Sequence, residues 1–225
     1  MRKPEGSVRI DMHVHTAYSH DSWTSPQQLE RILIEKGIDG VAITDHDTLG
    51  GWLQAKASTR KIVIPGMEIR TSIGEVLALF IQTEIRCSEF YSVVDEIRSQ
   101  GGIVALPHPY NWLRRYRLKL SKLNDDDLKR VFDAIEVFNA RCILGAFNNK
   151  AGELARKLGI PMIAGSDAHT PAEIGRGGIV CREVENVEDV HEALRKGKNS
   201  IFGVASSPLV HLATFRRRFM RVLES

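Results

Sequence analysis

Short apolar runs recur along this chain, and longer amphipathic stretches separate them. The apolar runs fall at residues 8–10, 40–44, 62–69, 75–81, 103–106, 134–139, 161–165 and 178–181. Stretches with helical periodicity lie at residues 25–37, 49–60, 89–100, 123–132, 146–158 and 187–196. Short strands that alternate with helices predict a parallel sheet, with one hairpin across Gly74 where two apolar runs adjoin.

Most of the histidines and several carboxylates stand at the ends of these predicted strands. The histidines are His13, His15, His46, His108 and His169, and the carboxylates are Asp45, Glu68, Glu136 and Asp167. In a β/α barrel the carboxyl ends of the strands open onto one face, so residues far apart in sequence converge there. Neutral imidazole is a common ligand of first-row transition metals. The positions therefore predict one shared site for several metal ions, although a lone His-x-His pair is often only solvated.

The composition is that of an ordinary globular domain. Of 225 residues, 43% are hydrophobic and 26% are charged, which favours one domain over residues 1–225. No apolar run approaches the ~20 residues that a membrane-spanning helix needs, and the N-terminus lacks the apolar core of a signal peptide. Three cysteines without a motif favour a reducing cytoplasm. The net charge of +3 is too small to indicate nucleic-acid binding by itself.

Five short segments carry a resemblance to a known family. They are residues 11–15 (Asp-Met-His-Val-His), 44–47 (Thr-Asp-His-Asp), 66–68 (Gly-Met-Glu), 108–109 (His-Pro) and 165–169 (Gly-Ser-Asp-Ala-His). In order and spacing these segments resemble the motifs of the PHP family, the polymerase and histidinol phosphatase domain, over roughly residues 8–180. The resemblance is to the stand-alone members. It implies a distorted seven-stranded (β/α) barrel, TIM-barrel-like, that hydrolyses phosphate esters with two or three metal ions and a metal-bound hydroxide.

The same resemblance implies a set of metal ligands. The first ion would be held by His13, His15, Glu68 and Asp167, the second by Glu68 and His108, and the third by Asp21, His46 and His169. For the third ion we favour Asp21, which fits the family position if His20 is a one-residue insertion. His20 itself is the alternative ligand. Where some members have a further histidine after the strand of Glu136, this chain has Asn139 and Arg141 nearby. Imidazoles mixed with carboxylates suit zinc, manganese or iron better than magnesium.

Three further residues are candidates for catalysis or phosphate binding. Asp45 is either a general base or, as we favour, a partner that orients a ligand histidine. Arg176 follows the last metal motif and is a candidate to act on the phosphate, together with His169. Arg141 is a candidate cationic anchor for the substrate.

Two basic segments have open interpretations. Arg114, Arg115 and Arg117 follow the His-Pro motif and alternate with aromatic residues, so this loop could stack a base and bind phosphates, or it could be solvated. The basic C-terminal tail, residues 206–225, includes the amphipathic stretch 215–221. For this stretch we favour packing against the protein over contact with RNA or a partner subunit. His191 and His211 lie outside the motifs and are predicted to be surface or packing residues.

Three functions compete on this basis. The basic loop slightly favours a phosphoesterase that acts on nucleotides or oligonucleotides. A small-molecule phosphomonoesterase of the histidinol-phosphatase type is the alternative, and a non-catalytic binding module is the third. The expected partner is a phosphate-ester substrate and not a membrane, and the sequence leaves the oligomeric state open.

Overall fold

The computed structural model describes residues 5–211 together with residues 214, 216 and 220. Within these residues the chain forms nine strands and six α-helices. The strands are β1 (Ser7–Val14), β2 (Gly40–Ile43), β3 (Ile62–Thr71), β4 (Gly74–Leu79), β5 (Ile103–Leu106), β6 (Ala134–Asn139), β7 (Met162–Gly165), β8 (Gly177–Arg182) and β9 (Asn199–Gly203). The helices are α1 (Leu29–Lys36), α2 (Gly50–Ser58), α3 (Phe90–Ser99), α4 (Asp125–Val131), α5 (Gly145–Leu158) and α6 (Val187–Arg195).

All nine strands belong to one nearly closed, barrel-shaped sheet in the order β7-β6-β5-β4-β3-β2-β1-β8-β9. Two backbone hydrogen bonds join the segment after β7 to the end of β1. The N–H of Asp167 donates to the carbonyl of His13 at 2.8 Å, and the N–H of His15 donates to that of Ala168 at 2.9 Å. The expected α/β barrel is thus present, but the seven-strand count is not confirmed. The sheet is also mixed, since β4 is antiparallel to both of its neighbours and β8 is antiparallel to β1 and β9.

The other predicted elements lie close to their expected ranges, and local sequence signals explain their ends. Helix α1 ends at Gly37, whose φ of 63° is in the left-handed region that glycine adopts at little cost. Helices α4 and α6 both begin with a capping box, formed by Asn124 with Asp127 and by Asn186 with Asp189. Strand β9 was missed because its sequence, Asn-Ser-Ile-Phe-Gly, contains no apolar run.

Two of the strands that lead to the predicted site each contain a bulge. In β1, Ile10 pairs with Gly40 and Val14 pairs with Ile43, so four steps of β1 oppose three of β2. In β6, Glu136 pairs with Ile163 and the next pair joins Phe138 to Ala164. An extra residue bends a strand and changes the face on which the following side chains lie. The bulges therefore redirect side chains where the strands reach the site.

The hydrophobic core has two parts, one on each face of the sheet. The face that carries Glu68 also carries an interior cluster, and α6 covers this cluster through Val190 and Leu194. Its strand members are Ile10, Met12, Ala42, Ile64, Leu77, Leu79, Ile103, Ala105, Ala134, Ile163 and Ile179. The opposite face packs against helices α1 to α5. Burial of both faces explains why the strands are apolar runs rather than alternating sequences.

Two sequence expectations concern the termini and membranes. Of the amphipathic stretch 215–221, only Arg216, which is exposed, and Met220, which is half-buried, lie within the described residues. The packing predicted for the rest of that stretch falls outside them. Among the residues that the structure describes, no helix is long and apolar enough to cross a membrane.

The interior cluster gives a first testable prediction. Leu79 is fully buried in the cluster, so Leu79→Ala should lower the free energy of unfolding by about 2–5 kcal/mol. Leu53→Ala removes the same atoms from a side chain that is 60% exposed on α2, and it should change stability by less than about 0.5 kcal/mol. Urea unfolding of the two variants measures the difference. Similar losses of unfolding free energy in both variants would contradict the placement of Leu79 in the interior and Leu53 at the surface.

Candidate metal centre

His13 and His15 lie at the end of β1 and are completely buried. Their Nε2 atoms are 3.1 Å apart, so both imidazoles face the same point as predicted. The other ring nitrogen of each is oriented by a neighbour. His13 Nδ1 lies 3.0 Å from Glu136 Oε1, and His15 Nδ1 lies 3.1 Å from the hydroxyl of Ser19. A partner at Nδ1 fixes the tautomer that exposes Nε2 as a ligand.

Glu68, on β3, is at the centre of the cluster. One of its oxygens, Oε1, is 3.0 Å from His108 Nε2. The other, Oε2, is 3.3 Å from His15 Nε2 and 3.4 Å from His46 Nδ1. Within the described part of the chain, Oε2 is buried and makes no hydrogen bond. The carboxylate is therefore placed between imidazoles that come from three different strand ends.

Asp167 follows β7 and faces the same histidines. Its Oδ1 is 3.5 Å from His15 Nε2, and its backbone adopts a left-handed φ of 54°. Its Oδ2 accepts a hydrogen bond from Asn139 Nδ2 at 3.1 Å and forms an ion pair with Arg114. The amide nitrogen of Asn139 also donates to Glu136. Asn139 thus bridges two carboxylates.

A second group of side chains adjoins His15. His169 Nε2 lies 3.3 Å from Asp21 Oδ1, and His46 Nε2 lies 3.7 Å from the same oxygen. Asp21 is fully buried, whereas the side chain of His20 is 49% exposed and its Nε2 is 3.9 Å from Asp21 Oδ2. The structure thus places Asp21 inside this group and His20 at its edge.

The Asp45 carboxylate reaches the candidate ligand His15 through the hydroxyl of Ser19. Its carboxylate accepts hydrogen bonds from the backbone and hydroxyl of Thr16, both at 2.6 Å, and from the hydroxyl of Ser19 at 2.7 Å. Ser19 in turn contacts His15 Nδ1. A Cβ at Gly51 would overlap the Asp45 carboxylate, which explains the glycine at this helix start. The geometry matches that of a residue that orients a ligand histidine.

The electrostatics of the cluster favour cations. Burial raises the pKa of Glu68, but His13 and His108 outweigh burial and hold it well below its usual range. Burial and the positive charge of His169 lower the pKa of His15 well below its usual range. Burial also lowers the pKa of His13, but the charges of Glu136 and Glu68 outweigh it and raise that pKa to about 10. Metal binding at His13 would therefore release a proton.

The donor set fits divalent transition-metal ions. Three groups in particular bring ligand atoms within 4.8 Å of one another: His13, His15 and Glu68; His15, His46 and His169; and His20, Asp21 and His46. Buried Glu68 Oε2, Asp167 Oδ1 and His169 Nε2 have no hydrogen-bond partner among the described residues. Buried polar atoms are normally paired, so unpaired ligand atoms that face one point indicate a binding site for cations.

The comparisons with known proteins agree with this geometry. The sequence profile of the PHP domain matches residues 11–169, and that of a PHP-associated segment matches residues 145–199. The chain belongs to the PHP family. An uncharacterized protein of Methanocaldococcus jannaschii, MJ0417, is 36% identical over 183 residues, which cover 80% of this chain and 73% of that protein.

Two solved structures share the PHP fold. One is a two-domain protein from Bacteroides vulgatus that contains a predicted PHP-like metal-dependent phosphoesterase. It matches with a TM-score of 0.73 at 17% identity, over 96% of this chain and 72% of that one. The other is a proposed metal-dependent phosphoesterase from Bifidobacterium adolescentis, with a TM-score of 0.63 at 18% identity, over 90% of this chain and 98% of that one. At these identities the likeness establishes a common fold.

A cavity of about 490 Å³ adjoins the candidate metal centre of this PHP domain. Four arginines line it: Arg70, Arg114, Arg115 and Arg141. Of the predicted phosphate-binding residues, Arg114, Arg115 and Arg141 therefore lie at the cavity. Arg117 is absent from the part of its lining that the structure describes. Arg176 is absent from it too, and the guanidinium of Arg176 instead donates to the carbonyl of Ala205 at 3.0 Å.

The sequence analysis did not single out several residues that line the cavity, among them Arg70, Glu75, His211 and Thr214. Arg70 and Glu75 are paired across the β3–β4 hairpin, and both line the cavity. Their signal was available, because Arg70 stands two residues after Glu68 and so shares its face of the strand. His211 also lines the cavity, with its Nε2 3.2 Å from the carbonyl of Arg141, so it belongs to the cavity wall as well as to the packing that was predicted. His191 lies on α6, 3.1 Å from the carbonyl of Gly101 and in contact with Phe80.

The central position of Glu68 gives a second prediction. Glu68→Gln keeps the shape of the side chain but removes the charge that faces several imidazoles, so it should lower the metal content by about one ion per chain or more. Elemental analysis after dialysis against a trace of manganese or zinc measures this.

The matched control is His191→Ala, which removes a histidine from α6, away from the cluster. It should leave the metal content unchanged. If the metal content of Glu68→Gln equals that of the wild type while both variants melt as folded proteins, Glu68 is not a ligand.

Proposed function

We propose that this chain is a metal-dependent phosphoesterase that uses two or three ions of zinc, manganese or iron. The supporting observation is the direct contact between a buried cluster of imidazoles and carboxylates and a cavity lined by four arginines. Side chains that could hold metal ions thus lie beside guanidinium groups that could bind a phosphate. A non-catalytic binding module is disfavoured, because it would not need so many buried ligand atoms without hydrogen-bond partners among the described residues.

The ligand roles in this proposal follow the family resemblance and the distances between the side chains. His13, His15, Glu68 and Asp167 would hold one ion, Glu68 and His108 a second, and Asp21, His46 and His169 a third. When bound, such ions neutralise phosphoryl oxygens and lower the pKa of water. Glu136 and Asp45 would orient ligand histidines. Glu136 contacts His13 directly, and Asp45 contacts Ser19, which in turn contacts His15. We do not propose Arg176 for the reaction, because its guanidinium is bonded to Ala205.

The side chains of the cavity would bind the phosphate. Arg141 has a buried guanidinium whose Nε is 3.1 Å from Glu173 Oε1, so its position is fixed before substrate arrives. Arg114 sits beside Asp167 and can place positive charge next to the metal ligands. Guanidinium groups bind phosphate oxygens in pairs, and a fixed guanidinium loses less freedom on binding.

The size and lining of the cavity favour a nucleotide or the end of a short oligonucleotide. About 490 Å³ is within the range of small-molecule pockets, so a long polymer would enter only by its terminus. Tyr116 lines the cavity, and its ring lies 3.7 Å from the guanidinium of Arg70 and 5.4 Å from that of Arg115. Aromatic and guanidinium planes can stack a base while the charges bind phosphate. A small phosphomonoester, as in a histidinol-phosphatase type of enzyme, is the second candidate, because the same cavity would accept it.

A substrate panel tests the proposal. Mononucleotides, nucleoside bisphosphates, short RNA and sugar phosphates should be incubated with the manganese-loaded protein, and released phosphate should be measured. We expect hydrolysis of at least one class, with loss of activity in Glu68→Gln and after chelation. If metal-loaded protein hydrolyses none of them, the phosphoesterase proposal fails. Preference for sugar phosphates over every nucleotide would favour the second candidate.

The cavity wall gives a prediction about substrate class. Arg115→Ala and Arg70→Ala each remove a cation beside Tyr116, so each should raise KM for a nucleotide about three- to tenfold while metal content stays unchanged. Arg117→Ala is the matched control, because it removes the same charge from the same loop at a position outside the described cavity lining.

Salt dependence distinguishes an oligonucleotide from a small phosphomonoester as substrate. For a short oligonucleotide, Arg115→Ala and Arg70→Ala should lower kcat/KM more at low salt than at high salt, because salt screens the phosphate contacts that these variants remove. Equal effects of Arg115→Ala and Arg117→Ala would mean that general charge, and not the cavity wall, determines binding.

A further inference from the structure

The segment that follows β9 runs along the edge of the cavity. We call its described residues, 204–211 and 214, the C-terminal strap. The N–H of Val204 donates to the carbonyl of Arg176 at 2.7 Å, and the N–H of Ser206 donates to that of Ala140 at 2.7 Å. These bonds join the strap to the turn before β8 and to the loop after β6. His211 and Thr214 then line the cavity itself.

Thr214 contacts the arginine that we propose as phosphate anchor. Arg141 Nη2 donates to the hydroxyl of Thr214 at 2.6 Å, and the backbone carbonyl of Val210 lies 3.5 Å from the same nitrogen. Thr214 is only 7% exposed, although the chain here is close to its end. A short hydrogen bond between a guanidinium and a buried hydroxyl restricts the guanidinium to one orientation.

The same arginine connects the strap to the metal centre. Arg141 Nε pairs with Glu173 Oε1 at 3.1 Å, and Glu173 Oε2 accepts a hydrogen bond from the N–H of His169 at 3.1 Å. The guanidinium is therefore held from two sides, by Thr214 on the strap and by Glu173 beside a candidate ligand. Without the Thr214 hydroxyl, the guanidinium would keep its ion pair with Glu173 but lose the hydrogen bond that holds its Nη2 atom.

Neither matched family segment reaches the strap, because the PHP domain match ends at residue 169 and the PHP-associated match ends at residue 199. We propose that the strap contributes His211 and Thr214 to the wall of the substrate cavity, and that Thr214 positions Arg141 to bind the phosphate group of the substrate. This inference rests on the proposed function, since it needs a phosphorylated substrate. It adds a positioning residue and a cavity wall that lie beyond the family motifs.

Thr214→Val tests the proposal, because valine has nearly the same shape but cannot accept the hydrogen bond from Arg141. We expect KM for the preferred phosphate ester and the Kd for inorganic phosphate to rise together, about five- to tenfold, which is in the range of the net contribution of one hydrogen bond. The value of kcat should change less than about twofold, because a fixed anchor acts on binding more than on chemistry. Thr214→Ser should restore wild-type values.

Ser207→Ala is the matched control within the strap. Ser207 is exposed, and its hydroxyl accepts a hydrogen bond from the N–H of Leu209 rather than from Arg141. This variant should bind phosphate as the wild type does. Melting curves and metal analysis of every variant separate a binding defect from damage to the fold. If Thr214→Val does not fold, Thr214→Ala provides the same comparison.

Calorimetry with inorganic phosphate on the metal-loaded protein makes the test independent of catalysis. Weaker phosphate binding by Thr214→Val supports the strap even if no ester is hydrolysed, in which case only the proposed function fails. Unchanged phosphate affinity in Thr214→Val overturns the role of Thr214, even if the enzyme is an active phosphoesterase. An equal loss in Ser207→Ala overturns it as well, because the strap would then act on the fold in general.

Discussion

The burial of the Glu68 carboxylate is the constraint on which the rest of the site depends. A carboxylate removed from water costs several kcal/mol unless cations or donors surround it. Here the imidazoles of His15, His46 and His108 lie within 3.4 Å of its oxygens. These histidines come from three separate strand ends, which the nearly closed sheet brings to one point. The barrel is thus the means by which distant residues neutralise one buried charge.

The bulges in β1 and β6 follow from the same constraint. In a regular strand, neighbouring residues such as Met12 and His13 would lie on opposite faces of the sheet. The extra residue between Asp11 and Val14 lets Met12 join the interior cluster while His13 and His15 face the site. Bulges are common beside active sites because they redirect side chains in this way.

The sequence was sufficient for most of the elements and for the candidate ligands at the strand ends. Apolar runs located eight of the nine strands, and the residues after them, such as His108 and Asp167, do converge. The runs could not give the number of strands in the barrel, because β9 has mostly exposed side chains and closure depends on long-range bonds near His13. They did not mark Arg70 either, although its spacing of two residues from Glu68 puts it on the same face of β3, because no motif includes it.

The division between strand ends and loops has a consequence for substrate choice. Candidate ligands such as Glu68 are fixed by the sheet, whose distortion would cost many hydrogen bonds and buried contacts at once. The arginines that face the cavity stand on a hairpin, on the loop after β5 and beside the strap, where a change affects few other contacts. In the proposed function, metal binding and phosphate recognition are therefore assigned to different parts of the fold. On that proposal, a change in the strap or in the basic loop would alter which phosphate ester fits, while the buried cluster around Glu68 stays intact.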